Sequence, residues 1–301
     1  MTCENDLEIK MTNKKLWRTE DEKRFFDDAL KSFASPEQLF YNLESDYYAF
    51  IPKKRDAKGQ TLQSRNSLIG KFTEKWAKTL LAPIAKQHNL YAVNGVVCEE
   101  IGLPKISAAD LAFCTKDGVM QNAEDIKIIF EIKMSIVSNY RLDKTGSIAY
   151  IGDYKTHKGA PSLLRSDSML KAIGKAVNIR VAGIKANKIP IIVLGNSPIS
   201  NSYISKVDTL KVAGIIQGFW SLNPKPTNTE FVKCSPKKAF QTIENYVQLR
   251  EITNEVLLQN CSYFSSMISE SRLGEIIRLA NSEKSDEDKA AKFLCLLRKG
   301  V

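Results

Sequence analysis

Three charged side chains stand out against their surroundings. Glu131 and Lys133 fall within the otherwise apolar run Ile126–Met134 (IKIIFEIKM), and Asp110 is the one charge in Ala108-Ala109-Asp110-Leu111-Ala112-Phe113. Side chains alternate faces along a strand, so Phe130 and Ile132 turn into a core while Glu131 and Lys133 point together the other way. Neither charge is cheap to bury unless it is paired or bound to something. Twenty residues lie between Asp110 and Glu131, about the length of two strand halves joined by the polar loop Thr115–Asp125. A hairpin of that length brings the two carboxylates together, where they can share a divalent cation.

Two carboxylates and an ammonium suit phosphodiester hydrolysis. In-line attack on phosphorus needs a metal to polarise the phosphoryl oxygen and acidify a water, and Mg2+ prefers one or two carboxylates with waters and phosphate. It also needs a cation near the attacking water and the scissile phosphate, a role that Lys133 fits. Asp110 followed by Glu131-Ile132-Lys133 resembles the P-D...(D/E)-x-K nuclease motif, and the chain resembles a type II restriction endonuclease of that superfamily over about residues 67–195. Ala109 stands where the motif name has proline. The resemblance implies a Mg2+-dependent endonuclease on double-stranded DNA, with Asp110 and Glu131 on the metal and Lys133 on the water. It further implies a homodimer and a cognate DNA methyltransferase as genetic partner. A repair or junction-resolving nuclease of the same core, a non-catalytic DNA-binding protein that keeps an ion-paired Glu131 and Lys133, and a nuclease acting on RNA remain as alternatives.

The elements that must position these residues follow from periodicity. Residues 1–51 read as a helical region: Glu20–Phe33 has Phe25, Phe26, Leu30 and Phe33 at helical spacing, and Ser35-Pro36 restarts a helix through Leu39, Phe40 and Leu43. Residues 52–66 are a basic polar connection, and a helix runs from about Ser67 to Gln87 with Pro83 disturbing its last turn. Ile69, Phe72, Trp76 and Leu80 make its apolar stripe, while Glu74 lies in a second row with Gly70, Ala77 and Leu81. The resemblance assigns Glu74 to metal or water positioning; the plain alternative is a solvated Glu74 paired with Lys71 or Lys78.

Strands are expected at Tyr91–Cys98, Ala108–Phe113, Ile126–Met134, Ile189–Gly195 and Val212–Phe219. A helix over Ser162–Val177 has Leu163, Leu164, Met169, Leu170, Ile173 and Val177 as its apolar side, and the chain reads as helical from Pro236 onward. The fold class is therefore α/β. The resemblance makes residues 52–229 a restriction-endonuclease-like core with a mixed central sheet flanked by helices, and residues 1–51 and 230–301 helical additions, all within one compact domain.

Candidate nucleic-acid contacts lie in the segment after Glu131. Residues 135–166 read as a long connection that could set Asn139, Tyr140, Arg141, Tyr154, Lys155 and Lys158 against phosphates or base edges. Lys171, Lys175 and Arg180 recur on the next helix as a backbone-contacting face, and Asn196–Lys206 is a second candidate reader of bases. A solvated loop or helix face would look the same. Asp153-Tyr154-Lys155 repeats D-x-K, but its polar flanks mark a loop. Glu99 and Glu100 read as an exposed strand end, with a ligand role as the alternative. His88 reads as a cap or surface residue, and His157 as a possible phosphate contact.

Composition narrows the alternatives. Of 301 residues, 44 are Lys or Arg and 34 Asp or Glu, a net charge of +10 that suits a polyanionic partner. Residues 52–98 carry nine basic and two acidic groups, 99–132 three and seven, and 133–190 eleven and three. An acidic island between basic segments is the pattern expected where carboxylates hold a metal beside a phosphate backbone. With only two histidines, His88 and His157, a Cys2His2 finger or an H-E-x-x-H site is excluded. Six cysteines without a C-x-x-C pair suggest neither a zinc ribbon nor a disulfide framework. No run approaches the roughly 18 apolar residues of a membrane span, and the acidic start (Glu4, Asp6, Glu8) is unlike a secretory signal, so a cytoplasmic protein is expected.

Overall fold

The computed structural model describes residues 16–32, 34–44, 46–55, 62–222, 231–258 and 270–299. Phe33, Cys3, Cys261 and the acidic residues Glu4, Asp6 and Glu8 lie outside the described residues, as do parts of the 52–66 connection. The chain forms two compact units, residues 1–262 and 263–301.

The first unit is built on a six-stranded mixed sheet in the order β10-β9-β8-β5-β4-β3. Its strands are β3 (Tyr91–Val96), β4 (Ala109–Cys114), β5 (Ile126–Ile132), β8 (Ile191–Gly195), β9 (Gly218–Ser221) and β10 (Phe240–Thr242). β3, β4 and β5 form an antiparallel meander, and β5, β8, β9 and β10 run parallel. Parallel neighbours need crossovers, which are supplied by helix α4 (Ser166–Ala182) between β5 and β8 and α5 (Ile204–Val212) between β8 and β9.

The alternation within β5 creates two cores. Ile128, Phe130 and Ile132 join the apolar faces of α1 (Thr19–Ser32), α3 (Gln63–Gln87) and α6 (Tyr246–Leu258), while Ile126 and Ile129 join those of α4 and α5. A sheet covered by helices on both sides explains why the β8 run IIVLG is buried throughout.

Several expectations are corrected here. The helix begun at Pro36 is the single turn α2 (Pro36–Leu39), followed by β1 (Tyr41–Leu43) and β2 (Asp46–Tyr48). Ser35 and Gln38 form a capping box, but the aromatic residues Phe40, Tyr41, Tyr47 and Tyr48 that follow favour strand. The segment 135–166 is not one long loop. It carries β6 (Asn139–Leu142) and β7 (Ile148–Gly152), which with β1 and β2 make a second, antiparallel sheet in the order β1-β2-β6-β7. The β6–β7 turn is local chemistry: Asp143 Oδ1 accepts from the N–H groups of Thr145 and Ser147 and from Thr145 Oγ1, and Gly146 takes a φ of +82°.

The long helix begins at Gln63 and passes through Pro83 to Gln87. The strand expected at Val212–Phe219 is displaced: α5 ends at Val212, and β9 begins at Gly218. The chain after Pro236 is not wholly helical either, because Phe240–Thr242 pairs parallel with β9 before α6 begins. The second unit consists, among the described residues, of α7 (Glu270–Ala280) and α8 (Asp286–Lys299). No helix among the described residues is long and apolar enough to cross a membrane.

One buried acid ties the helical and second-sheet parts of the first unit together. Glu22 of α1 is 1% exposed. Its Oε1 accepts from Trp17 Nε1 (3.1 Å) and Val137 N (2.7 Å), and its Oε2 from Ser138 N (3.1 Å) and Tyr140 Oη (3.0 Å). Burial raises its pKa, against the pull of these four donors. Glu22→Gln aims an amide NH2 at groups that are themselves donors, so unfolding free energy from urea melts should fall by about 1–3 kcal/mol. An unchanged urea midpoint would show that the network contributes nothing.

Candidate active site

The antiparallel register Leu111↔Phe130 sets Asp110 across from Glu131. Asp110 is fixed there by the neighbouring strand, since its Oδ2 accepts from the backbone N–H of Ile132 at 2.8 Å. On its other flank the β3–β4 register runs from Asn94↔Leu111 to Val96↔Ala109, leaving Gly95 across from Asp110. Gly95 has a φ of +67° with open space around its Cα, so the ladder is locally irregular beside the carboxylate. The expected hairpin and the pairing of Asp110 with Glu131 are both present.

Two ammonium groups clasp this pair. Lys133 Nζ lies 2.5 Å from Glu131 Oε1 and 3.5 Å from Asp110 Oδ2. Lys175 Nζ, from α4, lies 2.7 Å from Glu131 Oε2 and 3.1 Å from Asp110 Oδ1, and donates to the carbonyl of Ala108 at 2.8 Å. All four side chains are largely buried, with Glu131 the deepest at 7% exposure. This corrects the placement of Lys175 on a solvent-facing, phosphate-contacting surface. The apolar face of α4 is made by Met169, Ala172, Ala176 and Ile179, whereas Leu170 and Val177 are exposed. Alanine lets the helix lie close to the sheet, and Lys175, beside Ala176, is carried in with it.

Glu74 of α3 joins the same cluster. It makes no ion pair with Lys71 or Lys78 among the described residues; burial raises its pKa to about 7, with the charges of Asp110 and Glu131 adding to the shift and Lys133 and Lys175 opposing it. Burial, with Asp110 beside it, likewise holds Glu131 above the ordinary carboxylate range despite its two lysines. Burial disfavours the charged form of Lys175, but Asp110 and Glu131 outweigh it and raise its pKa. The two lysines thus balance the two carboxylates they touch, and Glu74, with no ion pair to either lysine among the described residues, adds a third carboxyl whose charged form burial disfavours.

The frame around the site was only partly legible in sequence. Asn94 Nδ2 donates to the carbonyls of Glu74 (3.1 Å) and Asp110 (2.8 Å), joining α3 to β4 at the cluster; an isolated Asn inside an apolar strand was its only signal. Beyond Lys133, Ser162 Oγ donates to the Lys133 carbonyl at 2.5 Å, and Asn196 accepts from Ser135 N and donates to Ser135 O. Asn196 and Ser197 are therefore buried parts of the fold, not base readers. Just past this network, Ser135 and Ile136 line a cleft of about 540 Å³ together with Tyr41, Asn66, Arg165 and Asp167.

The other expected contacts divide. Asn139 and Tyr140 are buried and committed to structure: Asn139 Oδ1 accepts from Phe50 N at 2.9 Å, and Tyr140 Oη donates toward Glu22. This corrects their assignment to nucleic acid. His157 is also buried, stacked on Phe50 at 4.0 Å with burial lowering its pKa, so it is no phosphate contact. Arg180 is turned inward onto the carbonyls of Gly214, Ala186 and Ile189. Arg141, Lys158 and Lys171 are exposed and Lys155 is half-buried, and Lys171 lies 3.8 Å from Asp167 on its own helix.

Asp153-Tyr154-Lys155 is a turn, with Asp153 Oδ1 accepting from Lys155 N. Glu99 and Glu100 lie in a single helical turn, where Glu100 pairs with Lys185 and accepts from Ala123 N, away from the site. His88 ends α3 and lies 2.8 Å from Asn254 Oδ1.

Among the described residues no three His, Cys, Asp or Glu side chains form a group that would hold a metal ion by themselves. The donors at Asp110 and Glu131 are nonetheless those a hard divalent cation takes, and Lys175 shows a cation already seated against one oxygen of each carboxylate and a backbone carbonyl. On that donor set the residues fit Mg2+. No family model, no curated protein and no solved structure matches the chain.

Proposed function

We propose that the protein is a Mg2+-dependent endodeoxyribonuclease, and in the finer reading a type II restriction endonuclease that cuts duplex DNA as a homodimer alongside a cognate methyltransferase. The observation that carries this is the seating of Asp110 beside Glu131 on adjacent strands with Lys133 between their oxygens. Asp110 and Glu131 would hold the cation. When bound, it would polarise the phosphoryl oxygen and make a nearby water more acidic.

The chain's own groups do the rest. Lys133 holds the attacking water in line with phosphorus and offsets the charge that gathers on the phosphoryl oxygens. Glu74, near neutrality in its titration, accepts a hydrogen bond from that water and helps to orient it. The water gives up a proton to solvent as the new P–O bond forms and the bond to the leaving sugar oxygen breaks, and solvent returns a proton to that oxygen. Exposed Arg141, Lys158 and Lys171, with half-buried Lys155, supply contacts to the backbone of the duplex.

A second reading has its own observation. Every oxygen of Asp110 and Glu131 already accepts from an ammonium or a backbone N–H, as a non-catalytic DNA-binding protein with a self-satisfied ion cluster would have it.

Incubation with supercoiled plasmid and Mg2+ separates the readings. Discrete fragments support the restriction enzyme, cleavage of branched or damaged DNA alone supports a repair nuclease, and a mobility shift without cutting supports the binder. Asp110→Ala and Lys133→Ala should each lower cleavage by at least about 100-fold while the circular-dichroism spectrum stays as in wild type. Full cleavage by both variants would remove the assignment.

The protonation of Glu74 gives a pH test in metal-free protein. Its folded pKa of about 7 lies above the ordinary 4.5, so the proton it retains stabilises the fold fully below the ordinary value. That contribution is lost as pH rises through about 7. In EDTA, the stability of wild type relative to Glu74→Gln should therefore fall between pH 4.5 and 7.5, and added Mg2+ should recover more of it at pH 7.5 than at pH 5. Urea midpoints of the two proteins at these pH values provide the measurement; a constant difference would mean that Glu74 is solvated.

A further inference from the structure

Lys175 has no part in the steps just described, yet all three of its oxygen contacts lie within 3.1 Å, whereas two of the three made by Lys133 are at 3.3 and 3.5 Å. Its Nζ contacts three oxygens from two strands: Asp110 Oδ1, Glu131 Oε2 and the Ala108 carbonyl. Lys133 takes the other oxygen of each carboxylate. The carboxylates are thus clasped from both sides, and the oxygens on the Lys175 side are one from each acid plus a backbone carbonyl, the hard donors a divalent cation also takes.

Building on the nuclease reading above, we propose that Lys175 is a positioning residue, the resident counter-ion of the Asp110–Glu131 pair, and that a divalent cation enters by taking these oxygens from its ammonium. Charge balance in a largely buried site gives the reason. Lys133 and Lys175 balance the two carboxylates they contact, so a divalent cation added beside both lysines leaves an excess of two positive charges. Release of the Lys175 ammonium halves that excess. A phosphodiester then brings one negative charge that offsets the rest. Lys175 therefore keeps the two carboxylates together without metal, weakens metal binding when no DNA is present, and makes metal and DNA bind cooperatively.

The flexible four-carbon stem of lysine suits this exchange, since its ammonium can move without a change in the helix. The alanines around it, Ala172 and Ala176, are buried at 1% and 2% exposure and hold the helix in place while the side chain moves. Lys133 is a poorer candidate for release, because it is only two residues from Glu131, just past the end of β5, and also contacts the Ile132 carbonyl at 3.3 Å.

The test is Mg2+ binding to the full chain without DNA, measured by calorimetry on wild type, Lys175→Met, Lys175→Arg and Asp110→Asn. Lys175→Met should bind Mg2+ about tenfold more tightly than wild type, and the Mg2+ concentration for half-maximal plasmid cleavage should fall by a similar factor. Its melting temperature in EDTA should lie below that of wild type and rise further on adding Mg2+. A purely structural lysine would lower stability without tightening the metal.

Equal or weaker Mg2+ binding by Lys175→Met overturns the proposal. Lys175→Arg keeps the charge and guards against a misfolded Met variant: it should bind no tighter than wild type, and tighter binding also overturns the proposal. Loss of binding and cleavage in Asp110→Asn, with Lys175→Met unchanged from wild type, overturns the counter-ion role and leaves the nuclease reading standing. Absence of Mg2+ binding in every protein, with no cleavage, removes both.

Discussion

The first unit depends on keeping two carboxylates side by side where the sheet would otherwise be apolar. Asp110 and Glu131 repel each other and lose hydration where they sit, and burial pushes Glu131 toward its protonated form. The structure offsets this with a cation on each side and a backbone N–H from Ile132. Removing one partner from such a cluster costs more than the cluster itself contributes, because a charge is left buried without a counter-charge. The surrounding architecture can be understood as the means of delivering those partners: the end of β5 leads into Lys133 and α4 carries Lys175, while α3 brings Glu74 near them.

Delivery from three elements requires that each be fixed relative to the others. Asn94 of β3 bonds to both the Glu74 and Asp110 carbonyls, so α3 cannot move along the β3–β4 pair without losing its bond to Asn94. On the far side, Ser162, Ser135 and Asn196 tie the end of β5 to the start of the segment leading into α4 and to the end of β8. Ser162 adopts a φ of +48° there, a conformation unfavourable for a residue with a Cβ. Strain of that kind persists only where neighbours over-determine the backbone, as the hydrogen bonds of Ser162 with Lys133, Ser135, Arg165 and Asn196 do.

What could be read from sequence followed the strength of local signals. The β5 run and the short β4 run are dense in apolar and β-branched residues, and period-two alternation alone assigns Glu131 and Lys133 to one side. The pairing of Asp110 with Glu131 followed from loop length. The α4 face was misread because the sheet-facing positions are Met169 and small residues, Ala172 and Ala176, while larger Leu170 and Val177 are exposed. Hydrophobicity marks the larger residues, but close helix–sheet packing selects the smaller ones, and Lys175 was misplaced for that reason.

The same distinction applies to the second sheet. Its strands have three, three, four and five residues, too short for alternation to be distinguished from a polar loop. Asn139 and Tyr140, polar enough to resemble a nucleic-acid contact, are instead what lets such short strands be buried. Asn139 accepts the Phe50 N–H that no strand partner takes, and Tyr140 carries a hydroxyl to Glu22 through an aromatic core that includes Phe26. A polar residue in a short strand is thus ambiguous from sequence, and three-dimensional pairing decides which reading holds. At Asp110 and Glu131 the ambiguity was smaller, because a carboxylate set among apolar neighbours has few structural uses and, once buried, needs either a cation or a full set of hydrogen-bond donors.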